Sequence, residues 1–261
     1  SASAALAMVA YGARPFTTLT ADPGLEAVPR ALASGLTIHY DSPVARLERG
    51  ARGAALVLAD GTSVEADRVV LAVPGPRAAA LLDDPSPVEA ELIATPYSPG
   101  LLVVVALSRR LADHELGGAY GLLASPGRSG DLAALCASSR AGHAAPGRDA
   151  VTVMFDGEAA GECIKRGTSD EELVGRAVES LCALAPSLEA AVDQASSRVV
   201  RIPAAMPTCR VGRASLVRRY RGEQSGPVIL AGDYLAFPWS DSAALTGLWA
   251  ANRVRLAAER G

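Results

Sequence analysis

The sequence is short of the residues that most enzyme chemistries need. Of its 25 basic residues only Lys165 is a lysine, which reads as arginine-biased composition. The three histidines, His39, His114 and His143, are scattered, and His114-Glu115 has no second histidine four positions after the first, so the helical zinc-hydrolase pattern is absent. The four cysteines, Cys136, Cys163, Cys182 and Cys209, form no C-x-x-C pair. They read as ordinary thiols of a reducing, cytoplasmic compartment, and no metal site is expected. Neither a Gly-x-Ser-x-Gly elbow nor a Gly-x-x-x-x-Gly-Lys loop occurs, which removes the commonest hydrolase and nucleotide-phosphate signatures. No apolar run approaches the roughly 18 residues of a membrane-spanning helix, the longest clear one being Leu101–Leu107.

What remains is a chain of 261 residues with 49% hydrophobic against 20% charged residues and a mean hydropathy of +0.21. That apolar content can offset the ordering entropy of folding. A net charge of −3 leaves no positive field for nucleic acid, which is not expected as a partner. The apolar opening Ser1 to Ala10 has no basic residue before it and reads as a helix rather than a signal peptide.

Apolar spacing predicts alternating helices and strands. Asp22-Pro23-Gly24 opens an amphipathic helix in which Leu25, Val28 and Leu32 recur, ending at Gly35. Strands are predicted over Leu36–Tyr40, Val44–Glu48 and Ala54–Ala59, with Asp60-Gly61 turning the chain into Thr62–Ala66. Arg68–Val73 is apolar almost throughout and stops at Pro74, as a strand covered on both faces would. A short helix is expected over Arg77–Leu82. Pro85, Pro87, Pro96 and Pro99 then break the chain, and Asp83, Asp84, Glu89 and Glu91 read as solvated surface. Further strands are predicted at Leu101–Ser108, Gly121–Ala124, Leu132–Ser138, Val151–Phe155, Arg198–Ile202 and Pro227–Leu235. A helix capped by Ser169 and Glu172 runs to Ala185, and another covers Ser240–Glu259.

The densest signal lies near the C-terminus, where Val228-Ile-Leu-Ala-Gly-Asp233 leads to Ser240 and Thr246-Gly247. A buried strand ends in a glycine that lets a ligand approach the backbone, then an acid, then the free amides of a helix start. Spacing alone fits equally a loop in which Asp233 is a cap.

Four segments in register resemble the flavin-dependent amine oxidases and protoporphyrinogen oxidases: Pro23-Gly24-Leu25 with Pro29 and Leu32; Val44-Ala-Arg-Leu47; Asp60-Gly61 with Ala66-Asp-Arg-Val-Val-Leu-Ala-Val-Pro74; and Ala231-Gly-Asp233 with Ser240, Thr246-Gly247 and Ala250-Ala251. Thr95-Pro-Tyr-Ser-Pro-Gly100 leans toward the protoporphyrinogen oxidase branch. The resemblance implies that Val44 contacts the adenine of FAD, that Ala72, Val73 and Pro74 lie close by, and that Gly232 and Asp233 hold the ribityl–phosphate part. The amides near Ser240 and Asp241 would then face the flavin ring. Tyr97, Arg201, Phe237 and Trp239 are candidate substrate contacts, each also readable as ordinary packing or surface. Lys165 matches no position of the lysine that some amine oxidases hold near the flavin, and no catalytic residue can be named.

The family's N-terminal unit carries a strand, a glycine-rich turn and a helix start that cradle a pyrophosphate. Among the 25 glycines here no two are separated by a single residue, so no G-x-G is present, and the sequence begins at a point resembling the middle of the family's chain. The expectation is an α/β fold in which residues 1–76 and 203–261 complete an FAD-binding domain and residues 77–202 form a mixed-sheet substrate domain. The chain would be one subunit of a split FAD-dependent oxidoreductase acting on a small organic molecule, an amine or a biosynthetic intermediate. FAD would be shared with a separate Rossmann-type partner chain. A truncated piece of a longer enzyme makes the same chemical prediction. The alternative class is a flavin-free descendant that uses the substrate pocket for binding or non-redox catalysis.

Overall fold

A computed structural model describes residues 20–22, 24–51, 53–124 and 130–259. The apolar opening Ser1–Ala10 lies outside the described residues. The chain divides into two compact units, one grouping Thr37–Tyr97 with Met206–Gly261, the other grouping the described part of Phe16–Leu36 with Ser98–Ala205.

In the first unit, β1 (Val44–Arg49), β2 (Ala54–Leu58) and β3 (Ser63–Ala66) form an antiparallel meander in sequence order. The predicted Asp60-Gly61 turn is present. Gly61 takes φ +87°, and Asp60 Oδ1 accepts the Thr62 amide at 2.8 Å, which holds the Asp60 carboxyl below its usual range. The predicted strand Leu36–Tyr40 does not form. These residues are exposed and pair with no other strand, so their β propensity has nothing to act on.

β4 (Val69–Leu71) runs parallel to β10 (Val228–Leu230), with Val70 opposite Ile229. α1 is the short helix Ala27–Ala33 of the other unit. α2 (Gly75–Leu81) follows β4, and α3 (Pro87–Ile93) occupies the stretch whose prolines were expected to break the chain. Pro87 sits in the first turn, where its missing amide costs nothing. Ser86 and Glu89 form a reciprocal capping box, and Glu89 is buried against Arg49 at 2.7 Å. The acidic cluster is therefore only partly surface: Asp83 and Asp84 are exposed, whereas Glu89 is interior. α6 (Arg213–Glu223), unrecognised in the sequence, hides its apolar face among arginines and buries Leu216, Val217 and Tyr220. α7 (Ser240–Ala258) closes the unit, whose core gathers Leu47, Leu71, Leu81, Leu92, Leu230 and Tyr220.

The second unit is built on the sheet β6-β7-β8-β5-β9, comprising β6 (Gly121–Leu123), β7 (Leu132–Ala137), β8 (Asp149–Phe155), β5 (Tyr97–Leu107) and β9 (Val192–Pro207), with the end residues Tyr97, Met206 and Pro207 grouped in the first unit. β9 runs well beyond the predicted Arg198–Ile202. Alternate residues of β5 and β8, Leu101, Val103, Val105 and Leu107 with Val151, Val153 and Phe155, are buried. They pack in one cluster with α4 (Gly157–Arg166) and α5 (Asp170–Leu184) through Ala160, Cys163, Leu173, Ala177 and Leu181. α4 was not anticipated; Asp156 caps its start by accepting the amides of Glu158 and Ala159, and Lys165 lies in its last turn. Ser169 caps α5 by accepting the Glu172 amide at 3.2 Å.

One ion pair anchors the loop after β5. Glu115, 3% exposed at its side chain, receives both guanidinium nitrogens of Arg109 at 2.8 and 2.9 Å, together with the Ala112 amide and the Ser187 hydroxyl. Arg140 donates to the carbonyls of Ala112, Glu115 and Ala119 on the same loop. The Arg109 hydrogen bonds pull the Glu115 carboxyl down to about 2. Its folded value lies below the unfolded one, so its contribution is complete above roughly pH 4.5 and is lost as pH falls toward 2.

Two outcomes follow. Urea unfolding at stepped pH is expected to show wild type losing stability between pH 4.5 and 2 more steeply than Glu115→Gln; parallel curves would refute the burial of this pair. Leu181→Ala, at a fully buried site, is expected to cost about 2–5 kcal/mol, whereas Leu184→Ala, half exposed, is expected to cost under about 1 kcal/mol.

Candidate functional site

The candidate site forms where β4 and β10 end side by side. β10 is buried at all three positions, and the chain leaves it through Ala231 into Gly232. Gly232 adopts φ +141°, and a Cβ there would stand 2.8 Å from the Tyr234 ring, so only glycine fits. The Gly232 amide donates to Thr246 Oγ1 at 3.0 Å, and the threonine hydroxyl lies 2.9 Å from the Ala243 carbonyl. Thr246 is fully buried and ties the end of β10 to the second turn of α7. It belonged to the sequence motif without an assigned role; its place on the inward face of an amphipathic helix was the available signal.

Asp233 follows, partly exposed. Its Oδ1 accepts the Tyr97 hydroxyl at 3.1 Å, and among the described residues its other oxygen has no protein partner. Tyr97 also accepts the Gly75 amide at 3.4 Å, and burial pushes its phenol well above the usual value. Tyr97, a candidate substrate contact also readable as ordinary packing, has its hydroxyl engaged with Asp233 and Gly75. Gly75 opens α2 immediately after Pro74, so one tyrosine touches both strand ends.

The remaining candidates are distributed as follows. Ala72 and Pro74 are exposed and Val73 half-buried, in the turn between β4 and α2. Val44, half-buried at the start of β1, has its carbonyl bound at 3.0 Å by Arg77 of α2, which links it to that turn. Ser240 and Asp241 lie exposed in the first turn of α7, whose N-cap Trp239 supplies no side-chain hydrogen bond, so the first amides keep their donor capacity. Phe237 and Trp239, 45% and 56% exposed, stack with centroids 6.1 Å apart just before this helix. Arg201 belongs to the other unit, where it binds Asp170 Oδ1 at 2.5 Å and the Thr168 carbonyl at 2.7 Å and so clamps the start of α5. Its guanidinium is engaged there by protein groups.

Behind the site, Arg213 bonds the Thr95 hydroxyl, while its Nη1 and the Tyr234 hydroxyl are buried without a partner among the described residues. Neither was singled out from sequence, because each signal is a single residue whose burial depends on distant segments. Among the described residues no group of three His, Cys, Asp or Glu side chains is arranged to hold a metal ion. The site as built offers a carboxylate oxygen, uncapped helix amides and a glycine-only backbone approach. It can accept a hydrogen bond from a ligand hydroxyl and donate to an electron-rich ligand atom.

Gly232→Ala is expected to destabilise the protein by about 2–4 kcal/mol through clash and left-handed strain. Tyr234→Phe, which removes an unpartnered buried hydroxyl, is expected to be neutral or stabilising by up to about 1 kcal/mol. Chemical denaturation of both variants checks this; a tolerant Gly232 would contradict the close approach described.

Comparison with known proteins agrees with this architecture. The structure is similar to a putative protoporphyrinogen oxidase from Exiguobacterium sp. 255-15, with a TM-score of 0.71 and 19% identity over 90% of this chain and 51% of that one. It is also similar to a putrescine oxidase bound to putrescine, with a TM-score of 0.65 and 18% identity over 89% and 53%. A reduced UDP-galactopyranose mutase aligns with a TM-score of 0.62 and 14% identity over 81% and 46%. The chain thus spans about half the length of these solved structures. No curated protein sequence matches it. The family profile for flavin containing amine oxidoreductase matches residues 4–255, and the chain belongs to that family.

Proposed function

We propose that this chain is one part of an FAD-dependent oxidoreductase that oxidises a small organic molecule, an amine or a biosynthetic intermediate, and that it shares the flavin with a separate dinucleotide-binding subunit. The observation that carries the reading is the Gly232-Asp233 turn: a glycine-only backbone followed by a carboxylate with one oxygen fixed and the other, among the described residues, unengaged, at the carboxyl end of a buried parallel strand. Ligands of open α/β sheets lie at that end of the strands. In this reading Asp233 accepts a hydroxyl of the ribityl–phosphate part, Val44 and Ala72–Pro74 border the adenine, and the first amides of α7 face the flavin ring. Bound FAD supplies the two-electron acceptor for the substrate's C–H bond. The protein supplies orientation and exclusion of water, and Phe237 and Trp239 are placed to wall the pocket.

Two features fit a dinucleotide-binding unit outside these residues, on a separate subunit or elsewhere on a longer chain. The parallel sheet has only β4 and β10 among the described residues, and on the face where α7 covers Ile229, the paired Val70 is 39% exposed. The outward face of α7 carries exposed Leu245 and Leu248. A further parallel strand with its helix would cover such surface, and the sequence contains no G-x-G turn to cradle a pyrophosphate. The helices of the described residues include none long and apolar enough to cross a membrane.

The test is the visible absorption spectrum of the purified chain, alone and after coexpression with a G-x-G-x-x-G-containing polypeptide encoded beside it. Flavin bands that appear only with the partner are the expected result. Bands in the chain alone would overturn sharing, and no bands in either preparation would favour the flavin-free alternative.

A further inference from the structure

We infer that Tyr97 is a positioning residue for the cofactor: its hydroxyl locks the Asp233 carboxylate to the β4–α2 turn and leaves the second carboxylate oxygen to the ligand. The inference rests on the FAD reading above and adds to it a residue and a role.

Hydrogen-bond direction follows from chemistry alone. The Gly75 amide can only donate, so at 3.4 Å it takes a lone pair of the Tyr97 oxygen, and the tyrosine proton is left to point elsewhere. Asp233 Oδ1, at 3.1 Å, receives it. The partial burial that pushes the phenol upward keeps it protonated across physiological pH, so the donor is never withdrawn. Local bonds hold the Asp233 backbone, through Thr246 on the Gly232 amide and the Ala236 amide on the Asp233 carbonyl, and the tyrosine adds from another segment the bond that fixes the side-chain carboxylate.

Tyr97 is itself held through the two residues before it. Arg213 bonds the Thr95 hydroxyl two residues before it, and the Thr208 amide donates to the Pro96 carbonyl at 2.8 Å. The three segments that meet at this hydroxyl, the turn after β4, the start of β5 and the turn after β10, are therefore fixed before any ligand arrives. Pre-organisation of this kind raises affinity by removing the ordering cost from the binding step. The phenol is not a catalytic residue here, because its proton and lone pair are both engaged by the protein.

The experiment measures the rate of flavin release from the loaded protein, with its partner subunit present, for wild type, Tyr97→Phe, Asp233→Asn and the double variant. A hydrogen bond to a charged group implies that Tyr97→Phe releases flavin about tenfold faster. Asp233→Asn should release it at least as fast, and the double variant no faster than Asp233→Asn alone, since Tyr97 acts only through Asp233. Unchanged release in Tyr97→Phe, or effects that multiply in the double variant, would overturn the inference while leaving the FAD reading in place. Unchanged release in Asp233→Asn would overturn that reading as well. The flavin-free proteins provide the second measurement: Tyr97→Phe is expected to unfold within about 3 °C of wild type. A collapse of its unfolding midpoint would make Tyr97 a core residue instead.

Discussion

Everything at the site depends on a pairing only three residues long, β4 against β10. Two parallel strands of that length are not stable in water by themselves. They persist because Val69, Leu71, Val228 and Leu230 are buried in one cluster with α2, α3 and α6, while Ile229 and Ala231 pack on the other face against Ala250 and Trp249 of α7. Burying a leucine or valine side chain contributes roughly 1.5–3 kcal/mol, so a handful of these residues outweighs the missing length. The pairing sets two strand ends level, and the level ends let one tyrosine reach both Gly75 and Asp233.

The same sheet is unequal on its two faces. One is sealed by short helices; on the other, α7 covers Ile229 but leaves its neighbour Val70 partly open. Membership of the flavin containing amine oxidoreductase family and the half-length alignment with its solved relatives give that asymmetry a physical sense. An apolar strand residue left open beside a covered one marks a face that the described helices cover only in part.

Much of the architecture was legible in the sequence because its signals were local. The Asp60-Gly61 turn, the β-meander, the Ser169 cap and the apolar run through Leu101–Leu107 each depend on neighbours in the chain, and each is present as the expected element. Legibility failed where tertiary context decides. Leu36–Tyr40 has strand propensity and no partner. Pro87, read as a breaker, is a helix start once Ser86 and Glu89 close their box. α6 carries its apolar stripe between arginines that blurred the periodicity. At the site, the Gly-Asp turn after an apolar strand was readable as a motif. The Tyr97–Asp233 bond was not, because it joins positions far apart in the chain, and a tyrosine between prolines gives no hint of its partner. Arg201 had the right chemistry for a substrate acid, but its geometry assigns it to the cap of a helix.

α1 is the predicted amphipathic helix, shorter than expected: Val28 and Leu32 lie on one stripe, Leu25 falls in the turn before it, and not one of its residues is buried. A seven-residue helix without tertiary packing has almost no intrinsic stability, since nucleation costs more than so few backbone bonds return. Its amides should exchange with solvent nearly as fast as those of a free peptide for as long as that stripe stays wet. Slowed exchange there would register burial of that stripe.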